Sequence, residues 1–595
     1  MKICNYIILF FLILIKSNSV FANKLAKLEN NNLNFIIPNI LTELDKKLYL
    51  EINELMINGK WEEAKKKTKL LKNKVLLGYI DYDKLMHPNK YRSSYNELFD
   101  WLETYNDYPV VMQRRVYNLM RKRTEQNKQK SSIKKPVYGR YLRGYGENNK
   151  RYANEIVKKK RNNKIYINDN ISNLIISQEF KKLLKYYNFQ DKSKIEIIYY
   201  LQKDAEKNFH AGFLTKSFKT YKFLINEIKI ENPKIIFKAG INAFRLKNYN
   251  ASAKLFEKCN FLIKKSANEY SPKLKSACLY WQAKISSKQE IKNSLYLQAS
   301  KFNRTMYGQL AIEKLNKKDG FVWDRQSKKR LKNNKKISIT NLTSFHRLIA
   351  LSELKFYDKA DLEMRNLYSK IERNKSNSKL LLHLSEYLDL AAVQIRLGES
   401  FFNKDYSLFM RGMYPTPEWS LEEGFIFDKA FIYAIIRRES AFNFRAKSSK
   451  GARGLMQLMP RTASKIQKDH RLRYGNKHKL YSLNLNLELG QKLLKELLKN
   501  PTTKNSILNT LIAYNAGITR VKKWNKNIRE SDPLAFVESI PIKETRMFVK
   551  YILTDLWIYR DKLGQNKITR SMLANDKWPI LSYQDFNFAR DAKLR

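Results

Sequence analysis

The sequence predicts a mainly α-helical chain: an N-terminal solenoid of stacked hairpins, a small helical linker, and a C-terminal helical domain with little β structure. Three observations predict it. Apolar residues recur at three- and four-residue steps along most of the chain. Period-two strand signals are scarce. The 18 Gly and 13 Pro in 595 residues leave few interruptions to helices. A chain of this length has ample core for several domains.

The first 22 residues read as a segment apart. Lys2 stands in a short n-region, an apolar run extends from Tyr6 to Ile15, and a polar stretch ends at Val20-Phe21-Ala22. These are the parts of a cleavable export signal, and the run is shorter than the roughly 20 apolar residues that span a bilayer. Residues 1–22 are therefore expected to direct export to the periplasm of a Gram-negative-type bacterium, with no stable membrane anchor. Membrane anchoring is the alternative, because Lys16 interrupts the path to the cleavage site. Cys4 precedes the apolar run and is wrongly placed to carry a lipid.

Residues 23–335 read as helix after helix. Gly59-Lys60-Trp61-Glu62-Glu63-Ala64 and Asn248-Tyr249-Asn250-Ala251-Ser252-Ala253, the latter followed by Leu255-Phe256, each look like the turn and second helix of a tetratricopeptide-like hairpin. Such hairpins bury their apolar faces only by stacking, which builds a curved solenoid. No clean period emerges, so no repeat number is assigned. Residues 127–164 crowd basic side chains around Gly139, Gly144 and Gly146 and read as a long irregular insertion. A polar run from Asp324 to Lys336 then precedes the linker, placed at 336–412.

The last region, 413–595, holds the chemistry. Ile432, Ile435, Ile436 and Phe442 mark one helix stripe, and Glu439 falls on it. Burial disfavours an ionised carboxyl and raises its pKa, which an acid needs if it is to protonate a glycosidic oxygen near neutral pH. The bland alternative is a buried Glu paired with Arg437 or Arg438. Directly after it, Ser448, Gly451 and Gly454 form a stretch where backbone can approach a ligand, and Pro460 suits the first turn of a new helix. Gln457 offers an amide donor and acceptor of the kind that sugar hydroxyls and acetamido groups require.

These motifs, in order, resemble those of the soluble lytic murein transglycosylases of the Slt family: Glu439-Ser440; Gly454-Leu455-Met456-Gln457; Asn486-Leu487-Glu488-Leu489-Gly490; Ala513-Tyr514-Asn515-Ala516-Gly517; and Ile540-Pro541-Ile542-Lys543-Glu544-Thr545-Arg546. The resemblance covers the last third of the chain in specific motifs. It implies a goose-lysozyme-like catalytic domain of α type with a small β element, behind a superhelical ring-forming domain. Tyr280-Trp281-Gln282-Ala283 and Tyr307-Gly308-Gln309-Leu310-Ala311 look like that domain's closing repeat, and His346-Arg347-Leu348 with Trp419 look like the family's linker.

The resemblance further implies that Glu439 is the sole catalytic acid and base. It would cleave the β-1,4 bond between N-acetylmuramic acid and N-acetylglucosamine and leave a 1,6-anhydromuramoyl end. Ser448, Gln457, Met459, Tyr514 and Glu544 become candidate substrate-binding residues, with Tyr514 also able to hold the acid or stabilise a cationic sugar. Their bland readings are a capped turn for Ser448, core for Met459 and Tyr514, and a salt bridge to Arg546 for Glu544. Three positions depart from the family pattern: Arg438 in place of Gln, Ile518-Thr519 in place of Pro-Gly, and Phe548 in place of Tyr. An Arg438 that reached Glu439 would lower its pKa and weaken it as an acid.

The net charge of +59, with 36 Tyr and 31 Phe, also suits a nucleic-acid binder. The lysines are spread over the whole chain, however, in company with Asn and Ile, and form no single stripe. Nucleic acid is not expected as a partner. Glycan strands of peptidoglycan are, and their peptide carboxylates would be attracted by a basic surface. Cell-wall synthesis or division proteins are further candidate partners. Cys259 and Cys278 fall on consecutive helices and read equally as a disulfide or as two thiols. The six histidines show no ligand spacing, so neither metal nor cofactor is expected. A hydrolytic lysozyme on the same fold, and a non-catalytic helical scaffold with a glycan-binding end, remain as alternative readings.

Overall fold

The computed structural model describes residues 37–127, 134–139, 142, 169–189, 191–265, 270–323, 338–371 and 375–581. The segment expected to be an export signal, most of the basic insertion and the polar run before the linker lie outside them. The described residues are helical throughout, and their only β features are three isolated bridges, Lys447 to Arg453, Arg453 to Leu458, and Ser506 to Ile580. The expected small β element is thus reduced to single pairings around one loop and one chain end. No described helix is long and apolar enough to cross a membrane.

The chain forms two compact units that interleave along the sequence, Met1–Glu147 with Val322–Trp419, and Asn148–Phe321 with Ser420–Arg595. The expected boundaries near 335 and 412 do not coincide with this division. In the first unit, the helix Glu43–Asn58 ends at Gly59, whose φ of 74° is a left-handed cap, and Trp61–Lys69 turns back against it. The hairpin read from Gly59-Lys60-Trp61 is there. The linker helices Thr343–Glu353 and Tyr357–Lys370 are tied to these N-terminal hairpins by buried polar groups. Glu363 accepts from Tyr79 Oη at 3.0 Å and from Arg347 Nε at 2.5 Å, and Arg347 Nη1 reaches Asp107 at 2.9 Å. A buried carboxylate without such partners would be strongly disfavoured, so this cluster fixes how the two segments meet.

In the second unit the hairpin pattern continues. Pro233–Arg245 is capped by Asn232, turns at Lys247 and returns as Tyr249–Lys265. Gly240 gives the room that Phe256 fills, since a Cβ there would lie 2.7 Å from Phe256 Cε1. Cys259 and Cys278 form a disulfide that joins Tyr249–Lys265 to Pro272–Ile285, which settles the open pairing.

The C-terminal helices of the same unit pack on these hairpins through an ionic seam. Arg570 binds Glu313 at 2.8 Å, Gln309 at 2.7 Å and Asp319; Lys284 binds Asp532 at 2.9 Å; and Glu538 accepts from both Tyr307 and Lys550. Trp281 Nε1 donates to the same Tyr307 hydroxyl at 2.9 Å. The two segments read as a closing repeat therefore meet each other and the C-terminal region at one buried point.

Candidate active site

The helix Lys429–Glu439 is set by its ends. Asp428 caps it, accepting from Ala430 N–H at 3.2 Å, and is itself held by Gln565 Nε2 at 3.0 Å. Gln491 Oε1 accepts from Ile426 N–H and fixes the entering chain. Residues 430–437 are all buried, so the helix is a core element rather than an amphipathic surface one. Glu439 is its last residue, half-buried, at the end where unpaired carbonyls make the local potential negative. Burial is the main cause that pushes its carboxyl up to about 8, and the nearby Glu544 adds to the shift.

Beyond the acid the backbone turns sharply. Ala441 and Phe442 both take left-handed φ values, 48° and 61°, which a bulky side chain adopts only where packing enforces it. Phe442 is fully buried and lies 5.9 Å from the Tyr433 ring, which supplies that enforcement. The turn delivers the chain into the loop 446–458, which is pinned by Gly454 N–H to Ala446 O at 3.0 Å and by paired bonds between Arg453 and Leu458.

One buried side chain organises this loop. Asn486 accepts from Met456 N–H at 2.8 Å and donates to Leu480 O at 2.7 Å and Arg453 O at 3.0 Å. Gly454, at φ 78°, must be glycine twice over, because a Cβ would also sit 2.7 Å from Asn486 Cγ. Gly490, one turn along from Asn486, leaves the space that Met456 occupies. The Asn-to-Gly motif is therefore a strut and a socket for the loop facing the acid.

The expected site residues divide by role. Met459 is 41% exposed at the cap of Pro460–Gln467, so it is not core and is available to line a groove. Gln457 donates to Ala446 O at 3.1 Å and Gly454 O at 2.9 Å, so its NH2 group holds the loop and only its carbonyl end is left to offer a sugar. Ser448 Oγ accepts from Ala452 N–H at 3.0 Å and closes the turn. Tyr514 donates its hydroxyl to Met456 O at 2.6 Å, not to Glu439, although the acid is close enough to help burial raise the phenol well above its ordinary range. Phe548, at the expected Tyr position, stacks parallel to Tyr514 at 6.4 Å. Glu544 is exposed in the first turn of Lys543–Lys562; Arg546 donates to Ile540 O, and Glu544 faces the acid closely enough to shift it.

The sequence reading missed Asp555. This fully buried carboxylate on Lys543–Lys562 takes both arginines that precede the acid: Arg438 through Nε to Oδ2 and through Nη2 to Oδ1 at 2.9 Å, and Arg437 through Nη1 to Oδ2 at 3.3 Å. The one legible signal was an acid at 555 within the apolar pattern of Ile552, Leu553, Leu556 and Trp557. Among the described residues no group of three His, Cys, Asp or Glu is arranged to hold a metal ion.

Residues 421–536 match the family model of the transglycosylase SLT domain. The soluble lytic murein transglycosylases of Salmonella typhimurium and Escherichia coli K12 are 36% identical over 152 residues and 38% identical over 138, which is 25% and 23% of this chain. A Haemophilus influenzae relative is 42% identical over 142 residues. The match spans only 21–23% of the length of these relatives. A crystallised complex of a 70-kDa soluble lytic transglycosylase with bulgecin A superposes with a TM-score of 0.51 at 17% identity, covering 91% of this chain and 99% of that one, a likeness of fold.

Proposed function

We propose that this chain, whose residues 421–536 match the family model of the transglycosylase SLT domain, is an exported lytic transglycosylase of peptidoglycan that acts in the periplasm. Glu439 donates its proton to the glycosidic oxygen between N-acetylmuramic acid and N-acetylglucosamine as the C1–O bond breaks. The resulting carboxylate then takes the proton of the muramoyl 6-hydroxyl as that oxygen bonds to C1. The product is a 1,6-anhydromuramoyl end, no water is consumed, and the acid is regenerated in its starting form.

The observation that carries the reading is a carboxyl at a helix C-terminus, half-buried, pushed up to about 8, with both neighbouring arginines held by Asp555. Such a group holds a proton at neutral pH and can give it to a leaving group. Tyr514, Gln457 and Asn486 support the reading by fixing the loop opposite the acid, and Met459 supplies exposed apolar surface for a sugar face.

Mass spectrometry of soluble products from purified murein sacculi tests the proposal. Anhydromuramoyl ends from the wild type, and none from Glu439→Gln, are expected. Reducing ends would instead assign a hydrolase in which Glu544 activates water. Equal turnover by wild type and Glu439→Gln would rule out the acid role of Glu439.

A further inference from the structure

Building on the proposed reaction, we infer that Asp555 is a positioning residue for it: by gripping Arg437 and Arg438, it keeps cationic groups off the carboxyl of Glu439. Two arginines immediately before an acid are a hazard to that acid. A guanidinium within about 4–6 Å favours the carboxylate and lowers a pKa by about 1–3 units, which would leave Glu439 ionised at neutral pH.

The geometry removes the hazard in three layers. Asp555 is wholly buried and accepts from Arg438 through both oxygens, a fork-to-fork arrangement that fixes direction as well as distance. Arg437 approaches the same Oδ2 at 3.3 Å. The Arg438 guanidinium also lies 4.4 Å from the centre of the Tyr551 ring, one turn before Asp555 on the same helix. Lys273 of the helical-repeat segment donates to the Tyr551 hydroxyl at 2.5 Å, so the aromatic plate beneath Arg438 is braced from a second element of the unit.

Among the described residues, Glu544 from Lys543–Lys562 and Tyr514 from Ile507–Ala516 lie close enough to interact with Glu439, the first an acid and the second a phenol raised well above its ordinary range. On its own helix the charged neighbours are Arg437 and Arg438, both turned to Asp555. Removing the Asp555 charge takes away the carboxylate that both cations share, one and two residues before the acid.

The test is the pH profile of anhydromuropeptide release from sacculi by the full chain. For Asp555→Asn, the limb that falls with rising pH is expected to move down by about one unit or more, with about a tenfold loss of kcat at pH 8. Activity at pH 5 and KM stay near wild type. Arg438→Gln placed in the Asp555→Asn background is expected to return most of that limb, because one cation is no longer there to be released. A second variant, Arg438→Lys, keeps the charge but loses the fork, and is expected to shift the limb in the same direction without removing the buried carboxylate.

An Asp555→Asn enzyme that loses activity equally at pH 5 and pH 8, with no recovery in the double variant, overturns the inference and leaves Asp555 a packing residue. An unchanged limb in Arg438→Lys also overturns it if Asp555→Asn does not fold. A wild type that releases no anhydro ends fails the proposed reaction itself, a result read before any variant is compared.

Discussion

Replacing Glu439 by Gln should make the protein more stable at neutral pH as it abolishes turnover. The carboxyl moves from an ordinary value of 4.5 to about 8 on folding. Between those values the folded chain keeps a proton that the unfolded chain releases, so stability falls as pH rises across that window. Linkage puts the cost at about 3 kcal/mol at pH 7 and under about 1 kcal/mol at pH 5. The amide of Gln carries no such cost. The second compact unit of the Gln variant should therefore melt later than that of the wild type at pH 7, and the advantage should shrink toward pH 5.

Calorimetric scans of both proteins at the two pH values measure this. The chain has two units, so the transition to follow is the one that bound glycan displaces. An advantage that is absent at pH 7, or equal at pH 5 and pH 7, would refute the reasoning, because the acid would then titrate alike in the folded and unfolded chain. An active site that weakens its own fold is the expected form of a stability and activity trade-off.

Three further outcomes follow from the geometry. Gly490→Ala places a Cβ 2.9 Å from Met456 Cε, so it should displace the loop and lower kcat at least tenfold, while cavity-sized changes elsewhere on Leu483–Lys499 should not; kinetics on sacculi read it. Tyr514→Phe removes the bond to Met456 O and should cost about 1 kcal/mol of stability with a larger fall in kcat than in KM, read by melts and kinetics together. His210, half-buried against Ser539 O, is pushed down to about 4, chiefly by burial. The unfolded chain takes up a proton from pH 6.5 downward that the folded chain refuses, so stability present above 6.5 is lost toward pH 4, by about 3 kcal/mol. His210→Gln should flatten that acid-side loss in melts between pH 4 and pH 7.

The sequence made the acid helix legible because its signals are local: an apolar stripe and a glycine-bearing stretch after it. Hairpin turns at Gly59 and Asn248 were legible for the same reason. The partners of Arg437 and Arg438 were not, because Asp555 lies 117 residues beyond Arg438 and a sequence read one helix at a time gives no contact at that range. Gln457 and Ser448 illustrate a subtler limit. Their residue types suit sugar recognition, but hydrogen-bonding capacity is shared with the backbone, and here the loop takes the amide donors of one and closes its turn on the other. The two interleaved units were equally hidden, since bonds such as Tyr79 to Glu363 span 284 residues.

The ionic seam of the second unit bears on portability. Severing the chain just before Ser420 would deliver the SLT region with Arg570, Glu538 and Asp532 stripped of Asp319, Glu313, Tyr307 and Lys284. Widowed interior charges are costly, and the excised fragment would also lose the brace that Lys273 gives Tyr551. The helical repeats are in this sense a limb of the C-terminal body, and a minimal fragment cut from this chain has to keep the repeat helices that carry Lys273, Lys284, Tyr307 and Glu313.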